Sequence, residues 1–543
     1  MRGDVDYYIK RFNSLREQRI PFEGLWQKLA HYILPQRYNH FAEMGSETPG
    51  NQSAKSRLNR TYDSTAEVAL DIFASSLVGF LANPATKWFE LAPLDNYLLE
   101  SEDVALWFDD ATDKLLTAFN DPHAKFYNAL KMCATDIGAL GTVGMLIQEG
   151  KRSLLEFSAR SVKELYVAED ASGNVDTVFR KLFMTARQMA QKFGYKNLTP
   201  FSKEKFEKAP DELISILHVI EPRNDRDVDS LSNNDYPIAS IYIEEKTKTI
   251  LQESGFHEMP LPVGRWDVYT NDVYGIAPAV KALADIQMIN QMEKAMIVAT
   301  EKTLNPPMQM PDDGFLGNID LSPGALNVYR SMSNGRLEPI QSVGNMAITY
   351  EMAQAKRNVI REAFYVDQLQ LVNSPQMTAT EVMARTDEKL RLMAPMIGRI
   401  QSELLGPIIE RSFGILFRKS MERDFIDAPF VRPPDVLMER AFRVKYVSPM
   451  ERAQRASEAN SIMAFINSVV PLSEINPPIL DNIDFDELTR ILHDIQSVPS
   501  AILNDREFIA ELREARRQEQ EQQAMMMNMS EAANIAKTAG LTE

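Results

Sequence analysis

Apolar residues recur at three- and four-residue spacings through most of the first 140 positions. The clearest stretches are FEGLWQKLAHYIL, TAEVALDIFASSLVGFL and SEDVALWFDDATDKLLTAF, and this period predicts helices with one face turned to a core. Ser101, followed by acids, reads as an N-cap, and Asn83-Pro84 as a stop. From about 144 to 275 the pattern shifts to β-branched and aromatic runs: GMLIQE, LLEFSA, ELYVAED, TVFRKLFM, ISILHVIEP and ASIYIEE. These predict strands, with Ser172-Gly173-Asn174 as one of the turns between them. One helix is expected to interrupt them, capped by Thr185 and closed by Gly194.

Three glycines, Gly138, Gly141 and Gly144, mark the change of pattern. A phosphate-cradling loop runs from strand to helix so that helix amides face the anion. Here the order is helix then strand and no lysine follows, so a tight passage between elements is the expectation.

Beyond 275 the helical period returns. The segment 275–302 carries Val280, Leu283, Met288, Met292 and Met296 near one face, and Ile286, Ile289, Glu293 and Ile297 near another. Apolar residues on two faces suit a helix packed between two neighbours. Asn305-Pro306-Pro307 ends it, short strands and turns follow, and a second helix is expected over 346–371. The pair reads as a hairpin stalk around a β-rich tip. The break 372–377 precedes a capping box, Thr378 with Glu381, that opens a long helix bearing Pro395 and Pro407, each expected to kink it. Pro433-Pro434 and a strand, AFRVKYVS, lead to a second capping box at Ser448–Glu451 and proline-broken helices. Asp484 with Glu487 reads as a helix cap, not a calcium loop, and the Gln/Glu-rich end with its Met cluster reads as a solvated tail. The fold class is therefore α+β, predominantly helical.

Composition narrows the chemistry. The chain has 543 residues, 44% apolar and 25% charged, which is ordinary for a globular protein of several domains. Cys133, its single cysteine, excludes an intrachain disulfide and any thiolate zinc cluster. The N-terminus lacks the layout of a signal peptide. The most apolar window, Ala66 to Ala82, carries Glu67 and Asp71 and falls short of a membrane span, so a buried helix, no membrane association and synthesis in a reducing compartment are expected. The six histidines are scattered, no two at a metal-binding i,i+4 spacing, and there is no G-x-x-x-x-G-K-[ST] loop. No catalytic residue, metal or cofactor is expected.

The order and wording of four passages resemble one family, the portal (head-to-tail connector) proteins of short-tailed, podovirus-type bacteriophages. They are YYIKRFNSLREQRIPFEGLWQKLAHYILPQR, DIGALGTVGMLIQE, GRWDVYTNDVYGIAPAVKALADIQMIN followed by NPPMQM, and SPQMTATEVMAR. They spread across residues 7 to about 450; the last hundred residues match by position more than by wording. The resemblance implies a ring of about twelve identical chains with a central DNA channel at one capsid vertex. It implies a wing at 1–275 and 378–446, stem helices at 276–302 and 346–371, and a clip at 303–345. The channel loop would be 372–377 (Val372, Asn373, Ser374, Pro375, Gln376 and Met377), anchored by Thr378 and Glu381, and the crown 447–543. Clip contacts to partners would fall at Asp312, Asp313, Arg330 and Arg336. The implied partners are further copies of the chain, double-stranded DNA, the terminase large subunit, a tail adaptor, the major capsid and scaffold proteins, and internal core proteins at the crown. The implied location is the virion, after synthesis in the bacterial host cytoplasm. Rival readings are a metal-dependent nuclease or terminase subunit and a non-ring core or scaffold protein.

Charge tests the implication. The net charge of −17 opposes tight DNA binding by phosphate neutralisation. Only 351–450 is net positive, with 15 basic against 13 acidic residues. Its Lys356, Arg357, Arg361, Arg385 and Lys389 are the candidates to face DNA, with Arg391 and Arg399 beyond them. Ion pairing to Glu362, Asp367, Asp387 and Glu388 is the competing role for these cations. The uncharged loop 372–377 suits sliding contact better than a grip.

Overall fold

The computed structural model describes residues 4–35, 61–95, 97–98, 101–227, 229–230, 232–304, 308–309, 338–339, 346–366, 393–423, 428–437, 442–447, 459, 461–471, 483–496, 509 and 512–518. The chain divides into two compact units, one of Met1–Ala85 with Ala118–Ile415 and one of Thr86–Thr117 with Leu416–Glu543.

The first unit opens with helix α1 (Val5–Ile33), whose N-cap Asp4 accepts the Asp6 and Tyr7 amides. Helix α2 (Thr65–Leu81) carries buried Ala66, Ala69, Leu70, Phe73, Ala74 and Leu77, the helical stripe expected there. No helix among the described residues is long and apolar enough to cross a membrane.

After helix α3 (Glu102–Asn120), most of which lies in the second unit, helix α4 (Phe126–Leu140) passes into strand β2 (Thr142–Glu149) through Gly141 at φ 83°. The glycines act as the expected tight passage. A Cβ on Gly138 would meet Leu70 and Phe73, and one on Gly141 would lie 2.3 Å from the Gly275 carbonyl oxygen. The turn is close-packed backbone on backbone, which only glycine permits. Strand β3 (Leu155–Ser161), β2 and β9 (Val263–Arg265) form an antiparallel sheet in the order β3-β2-β9.

Strands β4 (Leu165–Glu169), β5 (Val175–Thr185), β6 (Leu213–Pro222), β7 (Ile238–Glu244) and β8 (Thr249–Phe256) form an antiparallel meander in sequence order. Alternation sends Phe179, Leu217, Val219, Ile241 and Ile243 to one face, where α1 lays Tyr8, Phe12 and Leu15. The other face takes helix α5 (Ala186–Phe193) and helix α6 (Pro200–Lys208) around Ile214, Ile216, Tyr242 and Leu251. Thr185 and Gln188 form a full capping box on α5, and Gly194 closes it at φ 82°, as expected. Two helices interrupt the strands, not one. The second, α6, starts at a Thr199 cap with Pro200 in its first turn, a signal the sequence does carry.

Helix α7 (Pro278–Leu304) buries Ala282, Ile286, Ile289 and Asn290 within its own unit. It is followed by the short antiparallel pair β10 (Met308–Gln309) and β11 (Glu338–Pro339) and then by helix α8 (Met346–Ala363). Helices α7 and α8 pack together, so the hairpin is present. In its second arm α8 ends at Ala363 and Tyr365 adopts a left-handed φ of 56°; residues 367–371 lie outside the described residues. After residue 393 a helix continues through a π-turn (Gln401–Leu405) into α9 (Gly406–Glu422). The π-turn meets the expected irregularity at Pro407, which has no N–H to offer the preceding turn.

In the second unit, β1 (Phe89–Pro93) pairs antiparallel with β12 (Phe442–Tyr446), Leu91 opposite Val444. The first part of helix α3 (Glu102–Asn120) belongs here, and its Thr112 hydroxyl accepts the Leu91 amide at 3.0 Å. Helix α10 (Phe485–Gln496) is capped by Asp484, which accepts the Asp486 amide at 3.0 Å.

Candidate functional site

The base of the α7–α8 hairpin brings together three segments far apart in sequence. Arg357 on α8 donates from Nε to Asp63 Oδ2 at 3.1 Å, and from Nη2 to Glu293 on α7. Asp63 uses its other oxygen to accept the Thr65 amide at the start of α2, at 2.9 Å. Lys356 Nζ binds Asp285 on α7 at 2.7 Å. Beside them the Tyr62 amide donates to Asn290 Oδ1 at 2.7 Å. Two cations and three carboxylates thus tie α8, α7 and the entry to α2 into one knot. Asp63 is only 6% exposed in its side chain, so the pairing is largely shielded from solvent.

This arrangement bears directly on the basic residues expected to face DNA. Lys356 and Arg357 are engaged by carboxylates of their own chain, and those acids are Asp285, Asp63 and Glu293, not the sequence-local Glu362; Asp367 lies outside the described residues. Arg361, one turn further, is exposed and has no ion-pair partner among the described residues. Arg385 and Lys389 lie outside the described residues. So do the loop Val372, Asn373, Ser374, Pro375, Gln376 and Met377, its anchors Thr378 and Glu381, and Asp312, Asp313, Arg330 and Arg336.

Along its length the hairpin shows apolar side chains to solvent. On α7 these are Met288, Ile297, Val298 and Leu304; on α8 they are Ile348, Tyr350, Met352 and Val359. Ala353, Ile360 and Phe364 make the buried stripe of α8. Of the two apolar faces, Ile286 and Ile289 are buried within the chain, whereas Met288 of the other face and Ile297 of the same face are left bare.

Arg265, which the sequence reading missed, organises the helix that enters from residue 393. Its guanidinium is fully buried and binds Glu403 Oε1 at 2.7 Å and Oε2 at 3.0 Å, Glu169, and the carbonyls of Val273 and Gly173. Burial alone would depress its pKa, but the hydrogen bonds to Glu403 and Glu169 more than reverse this and hold it charged. It pins the π-turn to strands β4 and β9. A lone arginine before a tryptophan gives no sequence signal of such a role.

Among the described residues no group of histidine, cysteine, aspartate or glutamate could hold a metal. Cys133 is buried and unpaired by disulfide, and burial with the nearby Asp136 carboxylate raises its thiol pKa well above the usual value.

A family model described as bacteriophage head to tail connecting protein matches residues 6–503. The chain belongs to that family. The head-to-tail connecting chain is also 29% identical to the portal protein of Salmonella phage epsilon15, over 98% of its own length and 95% of the relative's. It is 28% identical to a probable portal protein of Bordetella phage BPP-1, over 96% and 93% respectively. Among solved structures it is similar to a chain from the virion of a native gene transfer agent particle, at 12% identity and a TM-score of 0.35, covering 80% of this chain and 95% of that one.

Proposed function

We propose that this protein is a phage portal: copies of the chain close into a ring of about twelve at one capsid vertex, and double-stranded DNA enters and leaves through the centre. The observation that carries the reading is membership of the head-to-tail connecting family over 6–503, joined to the apolar hairpin faces that the chain itself leaves bare. In the ring each α7–α8 hairpin lies between those of two neighbours and buries these faces. The hairpin is the stem, 303–345 the clip, 372–377 the channel loop, and 447–543 the crown. Asp312, Asp313, Arg330 and Arg336 present the clip to the terminase and later to the tail adaptor.

The chain acts as a conduit and docking ring and not as an enzyme. A net charge of −17 disfavours adhesion to DNA, since every phosphate neutralised adds affinity and would slow passage. The knot at the hairpin base consumes Lys356 and Arg357 internally, which leaves Arg361 as the α8 cation, beside the exposed Lys281, Lys294 and Lys302 of α7, able to meet a phosphate. Packaging tests the reading. Heads assembled without this chain should remain empty of DNA, and supplying it should restore filling. DNA-filled heads in its absence would overturn the assignment.

A further inference from the structure

The face of the five-stranded sheet opposite α1 ends in a corner that is rich in cations. Arg180 on β5, His218 on β6 and Tyr242 on β7 stand side by side in register, Arg180 opposite His218 and His218 opposite Tyr242. The His218 and Tyr242 rings stack with centroids 3.9 Å apart and planes 5° from parallel, and His218 Nε2 is 3.0 Å from Ser240 Oγ. Lys192 on α5 donates to the Tyr242 hydroxyl at 2.8 Å, its ammonium 4.0 Å from the ring centroid. Arg160, at the end of β3, forms the rim with its side chain 30% exposed.

Two arginines and Lys192 gather near one carboxylate, Glu164. Glu164 accepts from Arg180 at 2.9 Å and lies 4.0 Å from Arg160, and it is the carboxylate that pairs with this group. Glu244, two positions along β7, accepts the Thr199 hydroxyl on Oε2 at 2.5 Å, and its Oε1 is buried without a hydrogen-bond partner. The corner is also short of acceptors. Arg160 Nε and Arg180 Nε are buried donors with no hydrogen-bond partner, and Arg180 is itself over nine-tenths buried. Buried donors without acceptors cost free energy, more so on charged groups, unless something fills them.

We propose that this corner binds one small oxyanion of the phosphate class, held between Arg160, Lys192 and the Tyr242 hydroxyl. Arg160 supplies planar paired donors from the rim, Lys192 a point charge from the helix side, and Tyr242, already an acceptor from Lys192, keeps its own proton to donate. The two arginines and Lys192 repel one another in the empty corner, and an anion of charge near −2 offsets that repulsion. Glu164 already occupies one side of Arg180.

Lys192 supplies the readout. Burial of its ammonium, with Arg180 and Arg160 nearby, lowers its pKa to about 8, so at pH 8 about half is free amine. The full chain is treated with an acylating reagent at pH 8 with inorganic phosphate or with chloride at matched ionic strength, and modification of Lys192 is followed by mass spectrometry. A bound anion that raises the Lys192 pKa by one unit slows its labelling about fivefold. The exposed Lys208 should label at one rate in both salts. In Arg160→Gln the phosphate-to-chloride ratio at Lys192 should return to one. Equal Lys192 labelling in phosphate and chloride in the unmodified chain, or protection that persists in Arg160→Gln, overturns the proposal.

Discussion

Arg357 on the second arm of the hairpin reaches Asp63, 294 positions earlier, with Nε 3.1 Å from Oδ2. The same guanidinium binds Glu293 on the first arm. One side chain therefore ties both arms of the hairpin to the entry of α2.

Replacing Arg357 with alanine strands two carboxylates, one of them almost buried, and should cost about 2 kcal/mol in urea unfolding. Arg361→Ala, on an exposed position of the same helix, should stay within about 0.5 kcal/mol. Equal effects would show that the knot does not hold the hairpin.

At Tyr365 the backbone is left-handed, with φ 56°, between the buried Phe364 and Val366. A β-branched residue tolerates that conformation worst and glycine best. Tyr365→Val should therefore be less stable than Tyr365→Gly by about 2 kcal/mol, measured on the same thermal melt. Equal losses would mean that side-chain contact with Trp266, and not backbone strain, dominates here.

Gly141 and Gly173 have almost the same positive φ, 83° and 84°, but different surroundings. A methyl group on Gly141 meets the Gly275 backbone, whereas one on Gly173 meets nothing within 4 Å. Gly173→Ala should cost about 1 kcal/mol from conformation alone. Gly141→Ala should cost at least about 3 kcal/mol, because neither backbone can yield.

His218 is held neutral, its pKa depressed by burial and by Arg180, Lys192 and Arg160. The unfolded chain takes up a proton at the ordinary value of 6.5. Its contribution to stability is thus complete above that pH and lost as the pH falls below it, by about 1.4 kcal/mol per unit. Urea midpoints at pH 7 and 5.5 should separate more for the wild type than for His218→Gln. Identical pH slopes would contradict the assignment.

What the sequence made legible was local. Gly141 between a helical and a strand pattern, Thr185 with Gly194 around α5, and Asp484 before α10 are all signals confined to a few neighbouring residues, and each sits where expected. Thr199-Pro200 at α6 is a further local signal of this kind, whereas TILQESGF of β8 puts Ile250 beside Leu251 and shows no alternation. The pairing of β1 with β12 has no local signal, since strands so distant are matched only by the folded body. The end of α8 was hidden for another reason: the periodicity of 346–371 runs on, and a tyrosine is among the last residues expected to turn left-handed. The basic residues were found, but the partners of Lys356 and Arg357 could not be read, because Asp63, Asp285 and Glu293 reach them only through tertiary packing.

The central claim is that the bare apolar faces of α7 and α8 are covered by neighbouring copies around a channel. Electron microscopy of the purified full chain tests it most directly, beside Val359→Glu, which places a charge on an exposed α8 position without disturbing the buried stripe. The account predicts closed rings with a central hole for the wild type, sedimenting near twelve chain masses, and dissociated but folded chains for the variant. Single chains or solid particles from the wild type, or intact rings from Val359→Glu, would contradict it.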